Sequence, residues 1–245
     1  MKTAAIVLSA GRGTRMQSDI PKQYMPLIDK PVLYYSLKAF QDSSVSSIIL
    51  VTGKEDVEFC QKEIVEKYNI TKVSAIVTGG KERYHSVYEG LKQLKDHDYV
   101  LIHDGARPCV NVDIIERSIQ SVIEEEACVV GMPVKDTIKI ANENGYAVAT
   151  PDRSTLWMIQ TPQSFSYSLI YNAYTELMGR IKSEPENVPS ITDDAMVVEY
   201  IYGKKVKLIL GSYTNIKITT PEDIRVAEGF LKNLEKLYFF VDNRD

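Results

Sequence analysis

Residues 4–25 read AAIVLSAGRGTRMQSDIPKQYM, and the opening AAIVLS decides what kind of sheet the chain builds. An apolar run that does not alternate and ends at glycine is a strand covered on both faces, the pattern of a central parallel strand. In open α/β sheets, ligands bind in the crevice beyond the carboxyl ends of such strands. Here the strand opens onto Gly11 and Gly13, with Arg12, Arg15 and Lys22 in the same short stretch. Glycine's access to positive φ lets backbone N–H groups converge on an anion, and the cations add the charge that a polyphosphate needs for neutralisation. The loop reads as a phosphate cradle. It is not a Walker loop, because no Gly-x-x-x-x-Gly-Lys-Ser/Thr occurs, and AGRGTRM lacks the third glycine of the dinucleotide fingerprint. A plain βα turn with incidental surface cations is the bland alternative, and Lys22 argues against it.

Working outward, apolar strand patterns alternate with helical ones: PVLYYSLKAF, SIILVTG, EDVEFCQKEIVEKY, VSAIVTGG, YHSVYEGLKQL, YVLIHDG, VDIIERSIQSVIEE and ACVVGMPV. That alternation predicts βαβ units and a mainly parallel sheet flanked by helices. Pro31 suits the first turn of the helix that carries Leu33, Leu37 and Phe40. Right-handed crossovers place the loops after these strands along one edge, so residues 9–22, 78–86 and 103–109 are expected to meet. The rhythm changes at 133–155, where Asn142-Glu143-Asn144-Gly145 sits between alternating runs and predicts a projecting β-hairpin arm. Such an arm covers a neighbour's site or pairs two subunits, or else is a solvated decoration. LWMIQTPQSF returns to strand pattern, Ser166 is placed to cap a helix through Tyr174, and residues 182–191 read as a loop before the helix AMVVEYIY. Lys207–Leu210 and Asn215–Ile218 read as two more strands, and Pro221 as the start of a final helix. A single domain over 1–236 with a tail at 237–245 is the expected organisation.

Composition narrows the function classes. With 245 residues the chain can bury a full core, and its formal net charge of −4 lacks the basic surplus of a general nucleic-acid binder. Cys60, Cys109 and Cys128 are odd in number and widely spaced, which fits neither a disulfide framework nor a structural zinc site, and a reducing cytoplasm is expected. The N-terminal apolar run is too brief for a signal-peptide core, and no stretch reaches the length of a membrane span. Neither a nucleic acid nor a membrane is an expected partner.

Two further strand ends carry chemistry. Thr78-Gly79-Gly80-Lys81-Glu82-Arg83 leads to Ser86 near a helix start, and paired glycines allow a planar group to approach the backbone. His103-Asp104-Gly105-Ala106-Arg107-Pro108 follows the fourth strand, where Asp104 suits a hydroxyl or a metal-bound water and Arg107 an anion. An ordinary ion pair beside a turn is the alternative for either.

Together AGRGTRM with PKQY, GGKERYHSV, HDGARPC, PVKDTIK, QTPQSF, ITDDA and NIKITTPEDI resemble, in this order, the 2-C-methyl-D-erythritol 4-phosphate cytidylyltransferase family of the non-mevalonate isoprenoid pathway. The resemblance spans roughly residues 3 to 232 and implies a Rossmann-like nucleotidyltransferase fold. It implies transfer of a cytidylyl group from CTP to a polyol phosphate with release of pyrophosphate. By the same resemblance, Arg15 and Lys22 stabilise charge at the α-phosphorus. Ala10, Gly11, Gly13, Gly80, Lys81 and Ser86 take CTP. Asp104, Arg107, Thr137, Arg153, Thr192 and Lys217 hold the polyol phosphate, several of them from the arm of a second subunit, so a homodimer is implied. Mg²⁺ is implied by the triphosphate, with phosphate oxygens as most of its ligands and no assigned protein site.

The chain departs from the family's usual alanine at Gly105 and at Ser9, where the change is expected to leave pocket volume intact. Lys81 stands where others carry acidic or polar side chains, so its backbone is the expected contact. The nearest rival is ribitol 5-phosphate cytidylyltransferase, which shares the N-terminal loop, the TPQ segment and NIKITTP but tends to differ in GGKERYHSV, in the Cys after HDGARP and in PVKDTIK. A non-catalytic nucleotide-binding protein on the same fold is a rival of another class, against which Arg15 and Lys22 both stand. A sugar nucleotidyltransferase using another base shares the opening loop but not the later motifs.

Overall fold

The computed structural model describes residues 1–11, Met16 and 20–242, with side chains through Asn233. β1 (Thr3–Ser9) is followed by the short ladder β2 (Pro26–Leu27) with β3 (Lys30–Pro31), then α1 (Val32–Asp42) and β4 (Ser47–Thr52). α2 (Val57–Phe59) is continuous with a 3-10 turn before it and a π-helical stretch, Cys60–Glu66, after it. β5 (Val73–Thr78), α3 (Arg83–Leu91), β6 (Tyr99–Asp104), α4 (Val112–Glu125) and β7 (Ala127–Pro133) continue the alternation. The arm holds β8 (Ile140–Ala141) and β9 (Ala147–Ala149), and β10 (Trp157–Ser166) returns to the sheet. α5 (Tyr167–Ser183), α6 (Asp194–Tyr202), β11 (Lys207–Leu210) and α7 (Pro221–Asp242) complete the described chain.

Seven strands form one sheet in the order β11-β7-β10-β6-β1-β4-β5. β1 pairs in parallel with β4 and with β6, and β10 runs antiparallel to both β6 and β7. The expected mainly parallel, helix-flanked α/β sheet is therefore present, with one reversed strand. Period-2 alternation assigns the faces. Ala4 and Ile6 pack with Val87, Leu91, Ile170, Tyr174 and Val198 under α3, α5 and α6. Ala5 and Val7 face Leu33, Leu37, Phe40, Ile64 and Ile114 under α1, α4 and the π-helical stretch. Burying each such Val, Leu or Ile side chain is worth about 1.5–3 kcal/mol. Covering both faces is why AAIVLS carries no polar alternation. α3 approaches β1 at Gly90, where a Cβ would lie 2.8 Å from Ile6 Cγ2.

Several local readings are corrected. Asn215–Ile218 is not a strand: it crosses the carboxyl edge of the sheet, with the Ile218 N–H donating to the Ala106 carbonyl at 2.8 Å and the Asn215 side chain to the Thr161 carbonyl at 2.9 Å. Those bonds satisfy polar groups that a ladder would otherwise serve. Ser166 is the N-cap residue of α5 but makes no side-chain capping bond, and the helix runs past Tyr174 to Ser183. Pro31 precedes α1 as its N-cap and also pairs in β3. The last helix continues to Asp242. The Gly105 Cα faces the core rather than the crevice, since a Cβ there would meet Leu33 Cδ1 at 2.8 Å and the Leu8 carbonyl oxygen at 2.9 Å. No helix among the described residues is long and apolar enough to cross a membrane.

β6 ends in a buried histidine. His103 lies edge-on to Phe40 with ring centroids 5.2 Å apart, and its Nδ1 is 3.0 Å from Thr161 Oγ1. Burial pushes its imidazole down to about 3. An unfolded histidine titrates near 6.5, so the unfolded chain takes up this proton first. The stability contribution is full above about pH 6.5 and is lost as the pH falls towards 3. Urea unfolding at pH 7.5 and pH 5 is expected to show wild type losing about 2 kcal/mol more than H103N on acidification. Equal losses in the two proteins would exclude His103 as the titrating group.

Candidate active site

The crevice is assembled from strand ends. Gln23, almost fully buried, donates Nε2 to the Ser9 carbonyl at 2.7 Å and to the Gly11 carbonyl at 3.1 Å, tying the end of β1 to the PKQY segment. Glu82 and His85 form a reciprocal capping box at the start of α3, the Glu82 N–H donating to His85 Nδ1 at 3.2 Å. That box fixes the first turn, from which Arg83 and Ser86 project. The Gly80 N–H donates to Ser86 Oγ at 3.1 Å. Gly79 permits a close approach, since a Cβ there would stand 2.6 Å from Ser86 Oγ and 2.7 Å from Ala10 Cβ.

These ends enclose a cavity of about 220 Å³. Ala10, Gly11, Lys22, Gly80, Lys81 and Ser86 line it, and Asp104 and Lys217 close one side. A second cavity, of about 330 Å³, is lined by Asp104, Arg107, Thr192 and Lys217 together with Gln160, Thr161 and Gln163 of β10. Arg83, Asp104 and Lys217 belong to both and form the wall between them. The pairing of β10 with β7 shifts register between Ile159 and Gln163, which releases Gln160 and Thr161 from the ladder toward the second cavity.

The wall is a chain of charges. Lys217 Nζ donates to Asp104 Oδ2 at 2.7 Å and Arg83 Nε to Asp104 Oδ1 at 3.2 Å. Arg83 NH1 and NH2 donate to Asp194 Oδ1 and Oδ2 at 2.8 and 2.7 Å, a bidentate pair onto a carboxylate with 0% exposure. Tyr174 OH donates to the same Asp194 Oδ1 at 2.6 Å. Burial alone would raise the Asp104 carboxyl, but Arg83, Lys217 and Arg107 together outweigh it and hold the group well below the usual carboxylate range. Burial likewise disfavours the charge on Arg83, and Asp194 and Asp104 reverse this, raising it well above its ordinary value. Arg107 is drawn down by burial; its NH1 donates to the Asn215 carbonyl at 2.8 Å. Lys22 Nζ donates to the Ile218 carbonyl at 2.8 Å, so the irregular segment 215–218, which carries Lys217, also holds Lys22.

Gly13 and Arg15 lie outside the described residues. Thr137 and Arg153 stand exposed at the base of the arm, Arg153 NH1 donating to the Lys135 carbonyl at 2.9 Å, and neither lines either cavity of its own chain. Arg83, Asp194, Gln23 and Gln163 carry much of the site, although none of them has a role assigned from the sequence. Gln163 Oε1 accepts from the N–H groups of Asp194 and Ala195 at 2.9 Å each, and its Nε2 donates to Asp193 Oδ2 at 3.0 Å. A signal for both lay in the quoted motifs, as the third residue of QTPQSF's TPQ and the second aspartate of ITDDA. Among the described residues no group of three or more His, Cys, Asp or Glu side chains is placed to hold a metal ion.

A mostly parallel α/β sheet, glycine-bearing strand ends and a cationic wall between two adjoining cavities define a nucleotidyltransferase. The family profile of 2-C-methyl-D-erythritol 4-phosphate cytidylyltransferase (IspD) matches residues 3–233. The chain belongs to that family. It is 53% identical over 229 residues to the cytidylyltransferase of that name from Lachnospira eligens, covering 93% of this chain and 98% of the relative. The protein of the same name from Lachnoclostridium phytofermentans is 49% identical over 231 residues, covering 94% and 97%. Among solved structures, 4-diphosphocytidyl-2C-methyl-D-erythritol synthase from Anaerococcus prevotii superposes with a TM-score of 0.80 at 35% identity, covering 94% of this chain and 96% of that one.

Replacing Arg83 by leucine strands the Asp194 carboxylate in the core. Removing one partner of a buried pair costs about 3–5 kcal/mol, against about 1 kcal/mol or less for an exposed pair such as Lys62–Glu58. Urea denaturation of R83L and K62L is expected to separate them by that margin; comparable small losses would show that Arg83 does not neutralise Asp194.

Proposed function

We propose that the two cavities are donor and acceptor halves of one reaction, the transfer of a cytidylyl group from CTP to 2-C-methyl-D-erythritol 4-phosphate in isoprenoid precursor synthesis. The observation that carries this reading is their shared wall of Arg83, Asp104 and Lys217. In it, CTP occupies the smaller cavity, its base against Gly80, the Lys81 backbone and Ser86 and its phosphates over Ala10, Gly11 and Gly13. The acceptor takes the larger one, its phosphate drawn to Lys217 and Arg107 and its hydroxyl groups to Asp104 and Thr192.

A phosphate monoester has its second pKa near 6 and is largely dianionic at neutral pH, so the attacking oxygen needs no general base. The new bond joins that oxygen to the α-phosphorus, and the bond from the α-phosphorus to the bridging oxygen breaks, releasing pyrophosphate. What remains for the protein is positioning and charge stabilisation. Lys22 supplies charge from the wall of the donor cavity, and Arg15 is assigned the same task from its motif. A Mg²⁺ ion bound through the CTP phosphates would supply neutralisation of their charge. Both Asp104 oxygens accept from cationic side chains, so the described residues do not fit a protein-built cage.

The arm fits a homodimer. Ile140, Tyr146 and Val148 are 52%, 72% and 61% exposed on a two-stranded ladder that has little stability alone. In the dimer, Thr137 and Arg153 of each arm complete the partner's acceptor cavity. A reducing cytoplasm suits Cys60, Cys109 and Cys128, all free and buried, with burial pushing Cys109 up to about 12 and Cys128 up to about 11.

Pyrophosphate release is expected to require CTP, Mg²⁺ and 2-C-methyl-D-erythritol 4-phosphate together; comparable turnover with ribitol 5-phosphate or with ATP would overturn the assignment. R15A and K22A are each expected to lower kcat by about 10²–10³, by analogy with removing one oxyanion donor. An unchanged kcat removes that residue from the mechanism. Mixing R15A with R153A dimers is expected to restore partial activity through hybrid dimers. No rescue after demonstrated subunit exchange would count against the shared site.

A further inference from the structure

Arg83 lines both cavities, yet its guanidinium is committed elsewhere. NH1 and NH2 grip Asp194, which Tyr174 OH also engages and whose backbone N–H is held by Gln163 Oε1. The capping box of α3 fixes the other end of the residue. The Nε N–H faces the cavity wall and donates to Asp104 Oδ1.

We propose that Arg83 is a positioning residue for acceptor recognition: clamped by Asp194, it fixes the Asp104 carboxylate at the wall between the cavities, so that Asp104 meets the acceptor's hydroxyl groups in one orientation. The inference rests on the donor and acceptor reading above. Asp104 sits at the end of β6, where the side-chain carboxylate would otherwise turn about its own bond. Donors on opposite oxygens, Arg83 Nε on Oδ1 and Lys217 Nζ on Oδ2, stop that rotation. An ionised carboxylate offers about four lone-pair sites, so two remain for hydroxyl protons of a polyol. The two cations differ in their freedom. Lys217 holds Asp104 through a single flexible contact, whereas the Arg83 plane is set by a bidentate pair on a buried partner. Lysine at position 83 would keep the charge but is a point donor, unable to fork onto Asp194 while reaching Asp104. The GGKERYHSV motif thus contributes to both halves of the site: Gly80 and Ser86 to the donor cavity, and Arg83, through Asp104, to the acceptor cavity.

The test is steady-state kinetics on full-length R83K, D194N, Y174F and the R83K/D194N double variant, with CTP and 2-C-methyl-D-erythritol 4-phosphate varied separately. R83K and D194N are each expected to raise the KM for the acceptor by about tenfold while the KM for CTP changes less than threefold. Y174F, which removes one hydrogen bond from the same carboxylate, is expected to shift the acceptor KM two- to threefold in the same direction. The double variant is expected to be no worse than the worse single one, because the residues act as one unit. Equal rises in both KM values, additive effects, or an unchanged acceptor KM in folded R83K would overturn the positioning role; if R83K does not fold, an unchanged acceptor KM in Y174F does so. A wild-type protein that does not turn over CTP with this acceptor removes the underlying reading and this one with it, whereas an active wild type with unaffected variants removes this one alone.

Discussion

Everything about the site depends on β1 being held in parallel between β4 and β6. Parallel neighbours require crossovers, the crossover helices must lie on the faces, and the strand in the middle is then apolar on both sides. The same requirement sends each strand's carboxyl end to the same edge. Ala10 and Gly11 at the end of β1, the turn into α3 and the Asp104 turn after β6 are therefore neighbours by construction, whatever their sequence separation. Gln23 then ties the glycine loop to PKQY, which brings Lys22 to the crevice with it.

Within that frame, charge decides what the crevice accepts. Arg83, Arg107 and Lys217 stand against Asp104, Asp193 and Asp194 around the acceptor cavity, three cations to three carboxylates. Bringing an ion out of water costs several kcal/mol even after relaxation, so each of these groups is tolerated only because its partners are in place. An incoming anion therefore needs a cation that can leave its carboxylate. Lys217 is the cation suited to serve it, since its hold on Asp104 is a single contact and a dianionic phosphate offers more charge than one carboxylate. Arg83 cannot turn away without leaving Asp194 unpaired. The cluster thus separates into a fixed member and a movable one, and the bidentate geometry tells them apart.

The sequence made the parallel sheet legible because the signal is local: an unbroken apolar run, a glycine, then a helical period. It also made Lys22, Gly80, Asp104 and Lys217 legible, since motif order names them and strand-end position explains them. Arg83 and Asp194 were hidden for the opposite reason. They stand 111 residues apart, and an arginine after Lys81-Glu82 looks like one more solvated charge until the fold lays α6 beside α3. Asn215–Ile218 misled because Ile216 and Ile218 alternate with polar residues as an edge strand would. There the backbone bonds the Ala106 turn instead of a ladder, and Ile218 packs with Leu27 and Cys109 rather than on the sheet. Ser166 has the right chemistry for a cap, yet its backbone N–H is spent on the Glu126 carbonyl and its side chain caps nothing, so composition overstated its role.

The arm follows from the one reversed strand. β10 is antiparallel to both β6 and β7, so β7 runs in the same sense as β6 and ends at Pro133 on the sheet's catalytic edge, and β10 enters from that edge at Trp157. The chain between them has to project from the side that carries the crevice. Arg153 and Thr137 therefore sit at that edge without reaching the cavities of their own chain, which is the placement a residue needs to serve a neighbouring copy. An arm emerging from the opposite edge would serve dimerisation alone. Leaving from this one, it couples the proposed dimer to the acceptor cavity, because the strand that launches it also supplies Gln160 and Thr161 to that cavity's wall.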